Sequence, residues 1–314
     1  VAREELLARK VVLAMTGAGR FAPSPTSDLH LGNLRTALLA WLFARSTGRD
    51  FRLRVEDLDT TRVTAAAGVA ERQLHDLAAL GLDFDGEVIW QSRRRGAYAE
   101  AVSKLETYPC YCTRREIAEA VSAPHGDVHR PYPGTCLQLS QSQRASLAVT
   151  RPPALRVRAA GAVSTVFDVL SGEVSAVVDD FVLVRNDGTP AYNLAVVVDD
   201  LDAGIDQVVR GADLLTSAAR QAWLAATLGG QVPEYAHVPL AVNAKGQRLA
   251  KRDGAVSLAD LGRAGVTPQQ VLAHLAESLG LADADESITP ARLLPRFDPS
   301  KLPHQPWVVE PQAL

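Results

Sequence analysis

The chain has 314 residues, 47% of them hydrophobic, which is enough to bury a substantial core and excludes disorder of the whole. Its formal charge of -3, from 33 Lys and Arg against 36 Asp and Glu, carries no global signature of nucleic-acid binding, although a local basic surface suffices for phosphate contacts. No stretch of about 18 uninterrupted apolar residues occurs, and the start of the chain lacks the apolar centre and cleavage pattern of a secretory signal, so the expectation is a cytoplasmic protein of two or three units with no membrane partner.

Residues 1–14 precede the only methionine, Met15, and read as an N-terminal extension or an extra helix. A short apolar run then leads through Gly19-Arg20-Phe21-Ala22-Pro23-Ser24-Pro25-Thr26 and His30-Leu31-Gly32-Asn33 into an amphipathic helix over 34–46, stopped near Gly48. Phe51-Arg52-Leu53-Arg54-Val55-Glu56 alternates apolar and charged positions, as a strand ending near Glu56 does. Another helix is expected over 65–80, with its stop at Gly81. Strand, helix, strand, helix at this spacing predicts an α/β unit with a mostly parallel sheet.

Between 108 and 188 the rhythm changes. All three cysteines, many prolines and short β-prone runs at 155–158, 176–178 and 181–185 fall here, with a turn at Asn186-Asp187-Gly188. We read an α+β subdomain inserted between two parts of one main unit, 15–107 and 189–240. Tyr192 opens an apolar helix or strand reaching Asp200; a helix over 215–228 and a strand-like stretch at 233–240 follow. A polar, basic loop at 243–254 and a helix over 267–279 belong to a short helical C-terminal region, 241–314.

Three features carry chemistry. Pro23 and Pro25 restrict a loop, His30 stands where the next helix exposes its first amides, and Gly32 permits close backbone approach, a combination suited to bound phosphate. Neither a P-loop nor a dinucleotide fingerprint is present. The cysteines Cys110, Cys112 and Cys136 suit a structural metal better than a disulfide; zinc takes four ligands, and chemistry alone nominates His125 or His129 as the fourth. The arginine groups 93–95, 114–115 and Arg144, Arg151, Arg156 and Arg158 offer either a basic docking surface or ordinary solvated charge.

Taken together, the 20–26 segment and His30-Leu31-Gly32-Asn33 resemble the ATP-binding signature of class I aminoacyl-tRNA synthetases in its glutamate-specific setting, with Asn33 where the signature usually has His. Arg248-Leu249-Ala250-Lys251-Arg252 is similar to the mobile lysine loop of that class, with Arg248 for the usual Lys and Ala250 for the usual Ser. The resemblance implies a Rossmann-like catalytic fold carrying the inserted subdomain. It further implies ATP, with Mg²⁺, held by His30, Gly32, Asn33, Lys251 and Arg252, of which His30 and Lys251 are catalytic. Arg20, Ser24, Glu56, Tyr192 and Arg210 match glutamate-binding positions: the arginines for carboxylates, Glu56 for the α-ammonium, Ser24 and Tyr192 for orientation. In shortened relatives a Cys-x-Cys pair and a Tyr-x-x-x-Cys pair bind zinc, which carries one structural Zn²⁺ onto Cys110, Cys112, Tyr132 and Cys136.

A complete glutamyl-tRNA synthetase continues into a large helical anticodon-binding domain, whereas only 252–314 follow Lys251. The resemblance therefore implies a shortened, monomeric relative that activates L-glutamate and transfers it to the queuosine base at the wobble position of tRNA(Asp). Two alternatives stay open: a minimal synthetase charging a tRNA 3′ end, and a non-catalytic tRNA-binding paralogue.

Overall fold

The computed structural model describes residues 17–113, 115–117, 132–247, 249, 256–283 and 285–309. The 1–14 segment, His125, His129, Lys251 and Arg252 lie outside the described residues.

A seven-stranded sheet organises the molecule. Strand β1 (Ala18–Phe21) is buried at every position and pairs in parallel with β2 (Asp50–Val55), which pairs with the short β3 (Ile89–Trp90). On its other side β1 meets β9 (Ile205–Gly211), followed by β10 (Glu234–Val238) and the hairpin of β6 (Val163–Asp168) and β7 (Gly172–Val177). The order is β3-β2-β1-β9-β10-β6-β7, parallel except for that hairpin. From β1 the chain builds outward through β2 to β3, and later resumes on the opposite side at β9. The crevice between the C-terminal ends of β1 and β9 is thus a topological switch point, where open α/β sheets bind ligands.

Helix α1 (Leu31–Ser46) departs from the amphipathic expectation: 37–44 is buried without a break. One side packs on β1, β2 and β9, while α9 (Pro268–Glu277) and α10 (Pro290–Leu293) cover another, so an intermediate polar stripe would have no solvent to face. Of the helix expected over 65–80, α3 (Val69–Ala79) fills the later part, and a separate short helix, α2 (Thr60–Thr64), precedes the span. Gly68, at φ 74°, adopts the left-handed conformation at the N-cap of α3, which no helix can pass through.

The 108–188 segment divides between two sheets. Strands β4 (Thr107–Cys110), β5 (Ala154–Val157) and β8 (Val182–Val184) form a separate antiparallel sheet beside α5 (Gln141–Thr150), whereas β6 and β7 extend the large sheet beyond β10. Alternation within a strand identifies its two faces but not its neighbour, so the pattern could not assign β6 to either sheet. Tyr192 opens a helix, α6 (Tyr192–Asp202), and α7 (Leu215–Thr227) occupies the expected 215–228 span. Between β4 and α3 runs α4 (Arg95–Ser103), and α8 (Leu258–Arg263) precedes α9. The Thr267 hydroxyl caps α9 at Gln270, whose side chain bonds back to the Thr267 amide. Among the described residues, no helix is long and apolar enough to cross a membrane.

Candidate functional site

A cleft of about 500 Å³ opens at the switch point. Arg20, Ser24, His30, Gly32, Asn33, Glu56, Tyr192 and Arg210 all line it, arriving from the end of β1, the following loop, the start of α1, the end of β2, the start of α6 and β9. The Gln73 amide on α3 holds that loop by donating to the carbonyls of Ser24 and Ser27, at 3.1 and 2.7 Å, and the Glu56 N-H donates to the Pro23 carbonyl at 3.0 Å.

His30 is the N-cap of α1. Its Nδ1 accepts from the amides of Gly32 and Asn33 at 3.1 and 3.3 Å, and Asn33 Oδ1 accepts the His30 N-H at 3.3 Å. Because Nδ1 is the acceptor, the proton of a neutral ring resides on Nε2, which narrows the expected donor to one atom. Asn33 is thereby accounted for as the reciprocal half of a capping box. A Cβ on Gly32 would stand 2.9 Å from the Ala241 methyl and 3.1 Å from His30 Cε1, so close packing requires glycine there. The chain leaving the basic loop is tied to the same point: Leu31 N-H donates to the Val256 carbonyl at 3.3 Å, and His30 forms a β-bridge with Ser257.

Beneath the cleft lies a network of buried charge that sequence reasoning missed. Arg54, essentially without solvent exposure, bonds Asp200 Oδ1 at 2.5 Å and Glu56 Oε1 at 3.2 Å, with Asp199 at 3.8 Å. Arg20 reaches the same Asp200 oxygen at 3.2 Å. Asp199 accepts further bonds from Gln91, Arg94 and Tyr98. Burial pushes the Glu56 carboxyl up, opposed by Arg54 and Arg20. Burial acts the same way on Asp200, but there Arg20 and Arg54 prevail and hold it below the usual carboxylate range. The available signals were an arginine inside β2 and two acids closing an apolar run on α6; neither reveals its partner.

Arg210 has different neighbours. Its Nε donates to His237 Nε2 at 3.0 Å, Nη1 to Gln221 Oε1 at 2.6 Å and Nη2 to the Leu214 carbonyl at 3.4 Å. All three acceptors are neutral groups. His237 falls in the strand-like stretch expected at 233–240, a pattern that assigns it no chemical role.

The cysteines converge at the end of β4, with all three sulfurs within 4.8 Å of one another. Cys112 Sγ and Cys136 Sγ are 3.5 Å apart, and the Tyr132 hydroxyl lies 3.5 Å from Cys110 Sγ and 3.7 Å from Cys112 Sγ. A tetrahedron with metal–sulfur bonds of about 2.3 Å has edges of about 3.8 Å, so this set could close around a metal ion with little movement. The amide of Tyr111 donates to Cys136 Sγ at 3.3 Å, and that of Cys136 to the Tyr132 oxygen at 2.8 Å, contacts that favour anionic ligands. Arg156 stacks 3.6 Å from the centre of the Tyr132 ring and fixes its plane.

Fold and cleft together define an open α/β protein with a candidate ligand site at its topological switch point, and the comparisons with known proteins place it among the class I tRNA synthetases. The model of the family "tRNA synthetases class I (E and Q), catalytic domain" matches residues 18–314, and the chain belongs to that family. Among curated relatives, the glutamyl-Q tRNA(Asp) synthetase of Nocardia farcinica is 58% identical, spanning 95% of this chain and 94% of its own length. That of Cutibacterium acnes is 55% identical over 91% of this chain and 85% of its own. Among solved structures, the glutamate-tRNA synthetase of Elizabethkingia anophelis superposes with a TM-score of 0.77 at 29% identity, covering 94% of this chain and 68% of that one.

Proposed function

We propose that the protein activates L-glutamate with ATP and transfers it to the queuosine base at the wobble position of tRNA(Asp). The observation that carries this reading is the joining, in one cleft, of a capped helix start to a pocket lined by Arg20, Glu56 and Arg210. Relatives sharing more than half their residues with this chain over nearly its full length, and named for that product, support the choice of acceptor.

In the first step a glutamate carboxylate oxygen attacks the α-phosphorus of ATP, the bond from that phosphorus to the oxygen bridging the α- and β-phosphates breaks, and pyrophosphate departs with that oxygen. ATP enters as its Mg²⁺ complex, since its phosphate charge needs compensation. The His30 Nε2-H and the positive end of the α1 dipole stabilise charge on the phosphates, Gly32 permits their close approach and Asn33 holds the cap that aims His30, while Lys251 and Arg252 neutralise the departing pyrophosphate. Arg20 and Arg210 bind glutamate carboxylates, Glu56 its α-ammonium, and Ser24 and Tyr192 orient it. Since Arg20 already shares Asp200 with Arg54, Arg210, with only neutral acceptors, is the stronger single anchor for a carboxylate. In the second step a hydroxyl of the queuosine cyclopentene-diol attacks the glutamyl-adenylate carbonyl, an ester bond forms, and AMP leaves.

Cys110, Cys112, Cys136 and Tyr132 would hold one structural Zn²⁺, whose contribution is to pin the small sheet against the catalytic unit. We read 15–107 and 189–240 as the catalytic parts, 108–188 as the insertion with its hairpin lent to the main sheet, and 241–314 as the lysine loop and C-terminal region. The enzyme acts as a cytoplasmic monomer.

The deciding experiment presents radiolabelled glutamate to tRNA(Asp) with and without queuosine and maps the ester by nuclease digestion. Label is expected only in the anticodon fragment of the queuosine-containing RNA. Label at the 3′ adenosine, or equal labelling of both RNAs, rejects this acceptor and favours 3′-end charging.

A further inference from the structure

Three adjacent strands carry Asp168, His237 and Arg210 in a row. His237 on β10 stands in register with Arg210 on β9, and its Nε2 accepts from Arg210 Nε at 3.0 Å. On the other side of the ring Nδ1 lies 2.6 Å from Asp168 Oδ2, at the end of β6. The same carboxylate oxygen accepts the His237 backbone N-H at 2.9 Å, and its companion accepts the amides of Leu170 and Ser171 at 3.1 and 2.8 Å. Both side chains are sealed from solvent.

The direction of these bonds follows from donor chemistry. A guanidinium only donates, so His237 Nε2 must be an unprotonated acceptor and the ring proton must sit on Nδ1, pointing at Asp168. Asp168 thus selects the tautomer that Arg210 requires. The charged and titratable groups facing the ring are Asp168 from β6, Arg210 from β9, Arg20 from β1 and Tyr235, whose ring is stacked at 5.7 Å. Burial pushes the imidazolium form down, Asp168 opposes this, and the two arginines reinforce it, so the ring stays neutral. A carboxylate in place of His237 would also hold Arg210, but it would neutralise the guanidinium and compete with any anionic ligand. A neutral imidazole holds the group and leaves its charge uncancelled. Gln221 fixes another corner of the guanidinium and is itself held through Asn193 at 2.9 Å.

We propose that Asp168 and His237 are positioning residues of the amino-acid pocket, aiming the Arg210 guanidinium at a substrate carboxylate while preserving its charge for that carboxylate. This inference rests on the reading of Arg210 as a glutamate-binding residue.

The test measures glutamate-dependent ATP–pyrophosphate exchange by the full chain and by His237→Gln and His237→Leu. Glutamine keeps an acceptor for Arg210 and a donor for Asp168, whereas leucine removes both at similar volume. For His237→Leu the KM for glutamate is expected to rise roughly 10- to 100-fold, from misaiming of a buried charged donor, with the KM for ATP within about twofold of wild type. His237→Gln should recover most of the loss. If the leucine variant does not fold, His237→Met replaces it with the same expectations. A wild-type chain with no glutamate-dependent exchange removes the proposed activity and this inference with it. If the wild type is active, an acceptor-free variant with an unchanged glutamate KM, or one that loses glutamate and ATP alike, overturns the positioning role alone.

Discussion

The cleft and the cysteine cluster bury polar groups in opposite ways. Under the cleft, the buried carboxylates of one network already have cationic protein partners: Asp200 takes Arg20 and Arg54, Glu56 takes Arg54, and Asp199 takes Arg94. In the cluster three thiols and a phenol converge on one another, and the Arg156 guanidinium stacks on the ring face of Tyr132. The first arrangement is complete before any ligand arrives, and so preorganises the pocket. The second gathers donor atoms around a common centre, an arrangement that could close on a cation.

The largest test of this contrast is Arg54→Leu, which leaves Asp200, Glu56 and Asp199 without their shared cation. Stability is expected to fall by about 3–5 kcal/mol in urea unfolding, because an uncompensated buried charge costs more than the pair it came from. A loss under about 1 kcal/mol would mean that water already screens the network and that the cleft is not preorganised. Next in size, zinc at about 100 times its dissociation constant should stabilise the chain by about 2.7 kcal/mol over chelated protein, an effect that Cys112→Ala abolishes. Folded, zinc-free protein should still activate glutamate, since the cluster holds a sheet and not a substrate; failure to bind one equivalent of zinc ends the comparison. The smallest stability effect belongs to His30→Asn, which replaces one good N-cap by another and should lie within about 0.5 kcal/mol of wild type. Its exchange rate should nonetheless fall about 100-fold, because the Nε2 donor to phosphate is lost. Equal retention of stability and rate would reduce His30 to a cap.

Sequence by itself determined what depends on neighbours in the chain. Thr267 and Gln270 announce the start of α9, Asn186-Asp187-Gly188 the turn after β8, and His30 with Asn33 the start of α1, since capping and turn formation act across three or four residues. The cleft-lining residues and Tyr132 were legible through the family resemblance, whereas the chemistry of the cysteines alone pointed to His125 or His129 in place of Tyr132. Lys251 and Arg252 were legible in the same way but lie outside the described residues.

Tertiary structure alone decided the rest. It buried α1 between sheet and C-terminal helices, assigned β6 to the large sheet, and brought Arg54 to Asp200 and His237 to Asp168. The members of each of these pairs stand far apart along the chain, with no local pattern linking them. Whether a buried charge is stabilised depends on distance through the fold and on exclusion of water, and both exist only once the strands have paired.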